Sequence, residues 1–114
     1  MPEMTIVERQ VGHVVVLDFH GRILIGEGDN VLREAVTRLT DSGNVNVLLN
    51  LADVPFIDSS VVGELVRSLT TVSRKGGKVK LLNLPPRIRN LLSMARLLTV
   101  FEAYESEDEA VHSF

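Results

Sequence analysis

The segment VNVLLNLADVPFIDSSVVGELVRSL, Val45 to Leu69, carries two different periodicities on either side of one polar junction. Val45 to Leu51 is a short apolar run, of the length and composition of a central strand buried on both faces. Past the junction, Val62, Leu65, Val66, Leu69 and then Val72 recur at helical spacing and predict a helix over about 59–74. Strand, short connection and helix make up one arm of an α/β crossover, and this reading sets the fold class.

Downstream, Lys75-Gly76-Gly77 ends the helix with glycine just past its last turn. Val79 to Leu82 reads as another strand, and Pro85-Pro86 opens a helix from Arg87 to about Ala95 that carries Ile88, Leu91 and Leu92. Leu98 to Phe101 is expected as a last short strand and 106–113 as a terminal helix. Upstream, Thr5-Ile6-Val7 and the β-branched run Val14 to Phe19 are expected to pair as a hairpin turning at Gly12. Gly21 and Gly26-Glu27-Gly28 break the pattern, so 21–28 should be a shaped loop. Asp29 or Asn30 then caps a helix bearing Val31, Leu32, Ala35, Val36 and Leu39, which Asp41 to Asn44 stops. The order ββαβαβαβα predicts a single α/β domain over residues 1–114. Its small mixed sheet becomes parallel after an N-terminal hairpin, and about four helices cover it.

Composition agrees with this and narrows the function. The 114 residues suffice for one ordinary core, with 45% apolar and 24% charged residues. Without cysteine there is no disulfide, thiolate chemistry or cysteine–metal site. No apolar run approaches the roughly 18–20 residues that span a bilayer. MPEMTIVERQ has no basic region leading into a hydrophobic stretch, so a soluble, cytoplasmic protein off the membrane is expected. The net charge of −3 is uneven: residues 59–101 hold eight bases against Glu64 alone, and an acidic tail follows. Such a basic middle can draw nucleic acid, but no aromatic residues interleave with it to stack bases, so direct nucleic-acid binding is not expected.

The polar junction Asp58-Ser59-Ser60 has two explanations. A helix N-terminus has unpaired N–H groups, and an Asp or Ser cap there contributes about 1 kcal/mol. One cap accounts for one of the three residues. The same free N–H groups and helix dipole also favour a phosphate, so a serine in this place can be modified at low structural cost.

Leu48 to Leu69 (LLNLADVPFIDSSVVGELVRSL), continued by Arg74 to Tyr104 (RKGGKVKLLNLPPRIRNLLSMARLLTVFEAY), resembles the STAS domain of bacterial anti-sigma factor antagonists. The D-S-S junction, the K-G-G turn, the LLTVF segment and the loop GRILIGEG (Gly21 to Gly28) carry the resemblance, which extends over almost the whole chain. It implies that Ser59 is a phosphoacceptor. It also implies an anti-sigma factor partner, often itself a serine kinase, that is held by the unphosphorylated protein and released on phosphorylation, with a serine phosphatase restoring the complex. Partner contacts are then expected from Asp58, Ser60, Val61, Gly63, Glu64 and the loop residues Gly26, Glu27 and Gly28. The protein would be a binding switch and not an enzyme, either monomeric or weakly dimeric, and it would need no cofactor.

Two features depart from the family pattern. Val61 stands where the first glycine after D-S-S is expected, and its β-branched side chain would restrict approach of a kinase to Ser59. Gly21-Arg22-Ile23-Leu24 lacks the acid often found after this glycine, leaving Glu27 and Asp29 as nearby substitutes. Gly63 costs about 1 kcal/mol relative to Ala inside a helix. It is expected to pack closely on a neighbouring strand, with close approach of a partner as the alternative. Glu64 is expected on the exposed side of the helix. His13, His20 and His112 have no metal-ligand spacing. Gly26-Glu27-Gly28 is no phosphate or dinucleotide loop, and IDSSV is no nucleophile elbow. Two rival functions stay open: a scaffold of the same fold whose binding ignores phosphate, and a module that holds a nucleotide or anion at the helix N-terminus.

Overall fold

Two strands rich in β-branched residues begin the sheet: β1 (Met4–Val11) and β2 (Val14–Gly21) pair antiparallel, from Met4 opposite Gly21 to Val11 opposite Val14. Gly12, with φ at 61°, makes the tight reversal between them. The computed structural model describes residues 4–114. After β2 come α1 (Gly28–Asp41), β3 (Asn46–Asp53), a 3-10 turn over Ser59–Val61, and α2 (Val62–Arg74). Then follow β4 (Lys78–Leu82), α3 (Pro86–Met94), β5 (Ala103–Tyr104) and α4 (Glu107–His112). The five strands lie in the order β1-β2-β3-β4-β5, with every pairing after the hairpin parallel. The element order and mixed sheet are those expected from the sequence.

The sheet is buried on both faces at its centre. On one face, Val15, Leu17 and Phe19 of β2, Val47, Leu49 and Leu51 of β3 and Val79 and Leu81 of β4 pack under Leu32, Val36, Leu65, Val72 and Ile88 of the first three helices. On the other, Val14, Val16, Leu48 and Leu82 pack against Ala110 of α4. That double burial is why the run from Val47 to Leu49 is continuously apolar rather than alternating. Lys80 also faces α4 and is 2% exposed. Its ammonium donates to the Ser113 carbonyl and hydroxyl, both at 2.9 Å, pairs with Glu102 at 3.0 Å, and lies over the Tyr104 and Phe114 rings. On the same face Arg9 bridges Asp18 (2.6 Å) and Glu107 (2.6 Å), tying α4 to the hairpin. That guanidinium, helped by the Asn50 amide, holds the Asp18 carboxyl below its ordinary range, against the opposing effect of burial.

Two expectations need correction. Leu98 to Phe101 is a turn, and the last strand is Ala103–Tyr104, beside Leu81 and Leu82. Arg96, at φ 59°, ends α3, and Val100 and Phe101 both donate to the Leu97 carbonyl; Phe101 reaches the core from this coil. Neither Asp29 nor Asn30 caps α1, which begins at Gly28. Their side chains turn back onto Gly26 instead: Asp29 Oδ1 accepts from its N–H at 2.7 Å, and Asn30 Nδ2 donates to its carbonyl at 2.6 Å.

Candidate functional site

The loop after β2 and the loop after β3 run side by side where their parallel strands end. Ile23 and Ile57 form a short parallel bridge: Ile23 N–H donates to the Phe56 carbonyl at 3.0 Å, and Asp58 N–H donates to the Ile23 carbonyl at 2.9 Å. Both isoleucines are buried, which anchors this clip in the core. Gly28 lies against Ile23 so closely that a Cβ would sit 2.7 Å from Ile23 Cγ2. The clip therefore joins the 24–28 loop to Asp58.

Asp58 is the N-cap. Its backbone is extended (φ −63°, ψ 130°), its Oδ1 accepts from Ser60 N–H at 2.9 Å, and its carbonyl accepts from Val61 N–H at 2.8 Å. Ser59 and Ser60 are exposed on the outside of this turn. Val61 is fully buried and drives the turn into the core. The Ser59–Ser60 arch is thus pinned at both ends, by the Ile23 clip and by Val61.

Four expected site residues sit differently from their sequence reading. Val61 is no surface contact and does not stand over Ser59, because its side chain points into the core. Gly63 makes no close approach to a strand: it is exposed, and a Cβ there would meet nothing within 4 Å. Glu64 is not on the exposed side; it is 7% exposed and takes both Nε (3.0 Å) and Nη2 (2.8 Å) of Arg33 from α1. Gly28 is buried beneath the loop, whereas Gly26 and Glu27 are exposed. The burial stripe runs from Val61 of the 3-10 turn into Glu64, Leu65, Ser68 and Val72 of α2, because that turn sets the helix's phase and α1 packs along one flank.

A cleft of about 290 Å³ opens beside the junction, lined by Phe56, Ile57, Asp58, Ser59, Arg87, Ile88 and Leu91. Arg87 enters it from the first turn of α3, and the sequence reading missed it. Nothing in the spacing of the chain marks this arginine, because only the packing of α3 beside the junction brings it to the cleft that Ser59 also lines. No group of three or more metal-ligating side chains occurs among the described residues, and no helix among them is long and apolar enough to cross a membrane.

Residues 5–110 match the family model described as the STAS domain. The anti-sigma F factor antagonist of Paenibacillus polymyxa is 27% identical over 66 residues, which is 58% of this chain and 56% of that protein. A Thermotoga neapolitana homologue of the protein called TM1081 is 34% identical over 71 residues, 62% of this chain and 63% of its own. The chain thus spans somewhat more than half the length of the curated relatives it matches. Among solved structures, SpoIIAA in its unphosphorylated form has a TM-score of 0.79 at 20% identity, covering 94% of this chain and 93% of that one. The phosphorylated form of this Bacillus cell fate determinant has a TM-score of 0.75 at 21% identity, covering 96% and 98%. At such identities the likeness is one of fold.

Proposed function

Because the chain belongs to the STAS-domain family, we propose that it is an anti-sigma factor antagonist, switched by phosphorylation of Ser59. The unphosphorylated protein binds an anti-sigma factor and so frees the sigma factor; the phosphorylated protein lets the anti-sigma factor go. The observation that carries this reading is the Ser59 hydroxyl, exposed at the front of a junction whose neighbours on both sides are fixed. The Paenibacillus relative, an anti-sigma F factor antagonist, suggests the class of partner.

The chemistry needs only a donor and a base from the partner, acting as a serine kinase. The Ser59 Oγ–P bond forms as the γ-phosphoryl group leaves ADP, and the hydroxyl proton passes to the kinase base. The product carries close to two negative charges at neutral pH. Enclosed in a desolvated interface, that charge opposes the complex, and a serine phosphatase restores the neutral hydroxyl. The exposed residues around Ser59, namely Ser60, Gly63, Gly26 and Glu27, form the docking surface in this reading. Asp58, Val61, Glu64 and Gly28 shape it from below. The burial of Val61 supports the switch over the scaffold reading, since the steric obstacle that favoured the scaffold is turned inward.

The test is intact mass after incubation with ATP and the cognate anti-sigma factor, followed by a binding measurement. One added phosphate in wild type, none in Ser59→Ala, and a weakened complex for Ser59→Asp are expected. A Ser59→Asp protein that binds its anti-sigma factor as tightly as wild type would show the switch to be wrong.

A further inference from the structure

Ser59 and Arg87 line one cleft from two different elements, the turn ahead of α2 and the first turn of α3. We infer that Arg87 is the internal counter-charge for a phosphate on Ser59, its guanidinium taking the phosphoryl oxygens across the cleft. This rests on the reading of Ser59 as phosphoacceptor and specifies how this protein receives the added charge. Arg87 is exposed and, among the described residues, has no hydrogen bond or ion pair from its side chain, so the guanidinium is uncommitted. Its root is held by Pro85 and Pro86, which start α3 in a fixed direction. The planar fork of an arginine matches phosphoryl oxygens in a way a lysine does not.

The other charged residue lining the cleft is Asp58. Its carboxylate already accepts the Ser60 N–H, and it repels an incoming dianion. Arg87 offsets that repulsion from the first turn of α3. The rest of the lining is Phe56, Ile57, Ile88 and Leu91, apolar surface that weakens solvent screening of the pair.

The experiment installs phosphoserine at position 59 during translation, which removes any dependence on a kinase, and follows the phosphate by ³¹P NMR as pH is varied. A free phosphoserine has its second pKa near 6. Wild type is expected to titrate lower than Arg87→Gln by about half a unit or more, with Arg87→Lys in between and the difference shrinking in high salt. Coincident titrations of wild type and Arg87→Gln would overturn the inference. So would an Arg87→Gln protein that binds the anti-sigma factor more weakly before phosphorylation yet leaves the titration unchanged, because Arg87 would then be a partner contact. The titration is read on the protein alone, so it can fail while the binding switch holds, and the switch can fail while the titration holds.

Discussion

Replacing Val61 by glycine would restore the residue expected from the family pattern after D-S-S, and the structure predicts that the change is costly. The side chain is 0% exposed and belongs to the main core cluster with Ile57 and Leu65. Removing its three carbons forfeits about 0.8 kcal/mol each in burial, roughly 2.4 kcal/mol together. The cavity left behind adds to this, and glycine at the start of a helical segment adds up to about 1 kcal/mol more. A loss of about 3–4 kcal/mol is therefore expected, within the roughly 5–15 kcal/mol typical of a domain, so the variant should still fold at 25 °C. In urea, with a slope of about 1.5 kcal/mol per molar, the midpoint should fall by about 2 M. Phosphorylation of Ser59 should not improve, because the glycine opens no path to the hydroxyl. A midpoint within about 0.3 M of wild type, or faster labelling of Ser59 in the glycine variant, would refute the placement of Val61 as a core anchor and restore it as a surface obstacle.

Asp18 contributes a pH dependence whose sign follows from its partners. Arg9 and Asn50 lower its folded pKa below the usual carboxylate value, so its stabilisation is fully present above the unfolded pKa and is lost as pH falls through the folded one. Urea midpoints at pH 7 and pH 3 should therefore differ less in Asp18→Asn than in wild type. Gly77 passes so near β3 that a Cβ would stand 1.9 Å from the Val45 carbonyl oxygen. Gly77→Ala should cost at least about 2 kcal/mol, measured as the same urea midpoint, because backbone rather than a side chain must move.

The β3–α2 unit was legible because its two halves obey different periods, two-sided burial for Val47 to Leu49 and helical spacing for Leu65 to Val72. The hairpin was legible from β-branched runs around Gly12. The errors have local causes. An apolar run such as Leu97 to Phe101 signals burial without saying whether a strand or a coil delivers it, and Phe101 is delivered by a coil. Asp29 and Asn30 are good capping residues, yet both are spent on Gly26, which their own loop brings within reach. At the candidate site the sequence offered an Asp or Ser of the junction as the cap, and Asp58 takes that place, but the positions from Val61 to Glu64 came out inverted. The apolar pattern alone phased α2 on Val62, whereas the 3-10 turn buries Val61, and Arg33 of α1 draws Glu64 into the helix–helix seam. Arg33 lies far in the chain from Glu64, which it pairs with, and Arg87 far from Ser59, whose cleft it lines, and no local pattern announces either placement.

The junction's three polar residues can now be separated by what each does. A single side chain suffices to cap the turn, and Asp58 supplies it through the Ser60 N–H. Ser59 therefore has no part in the cap, and its exposed hydroxyl is surplus to the fold. The backbone on either side of it cannot readily shift, because Asp58 is hydrogen-bonded to Ile23 and Val61 is buried. A phosphate added at Ser59 then has no loosely held element to rearrange. Its effect must act through charge at the surface it occupies, and two groups decide that effect before any partner arrives. Asp58 raises the local negative potential, while Arg87 lowers it from across the cleft. A switch built this way depends on how much of the added charge Arg87 leaves for the partner to meet. The same arginine that steadies the phosphorylated form would therefore also limit how completely phosphorylation drives the partner off.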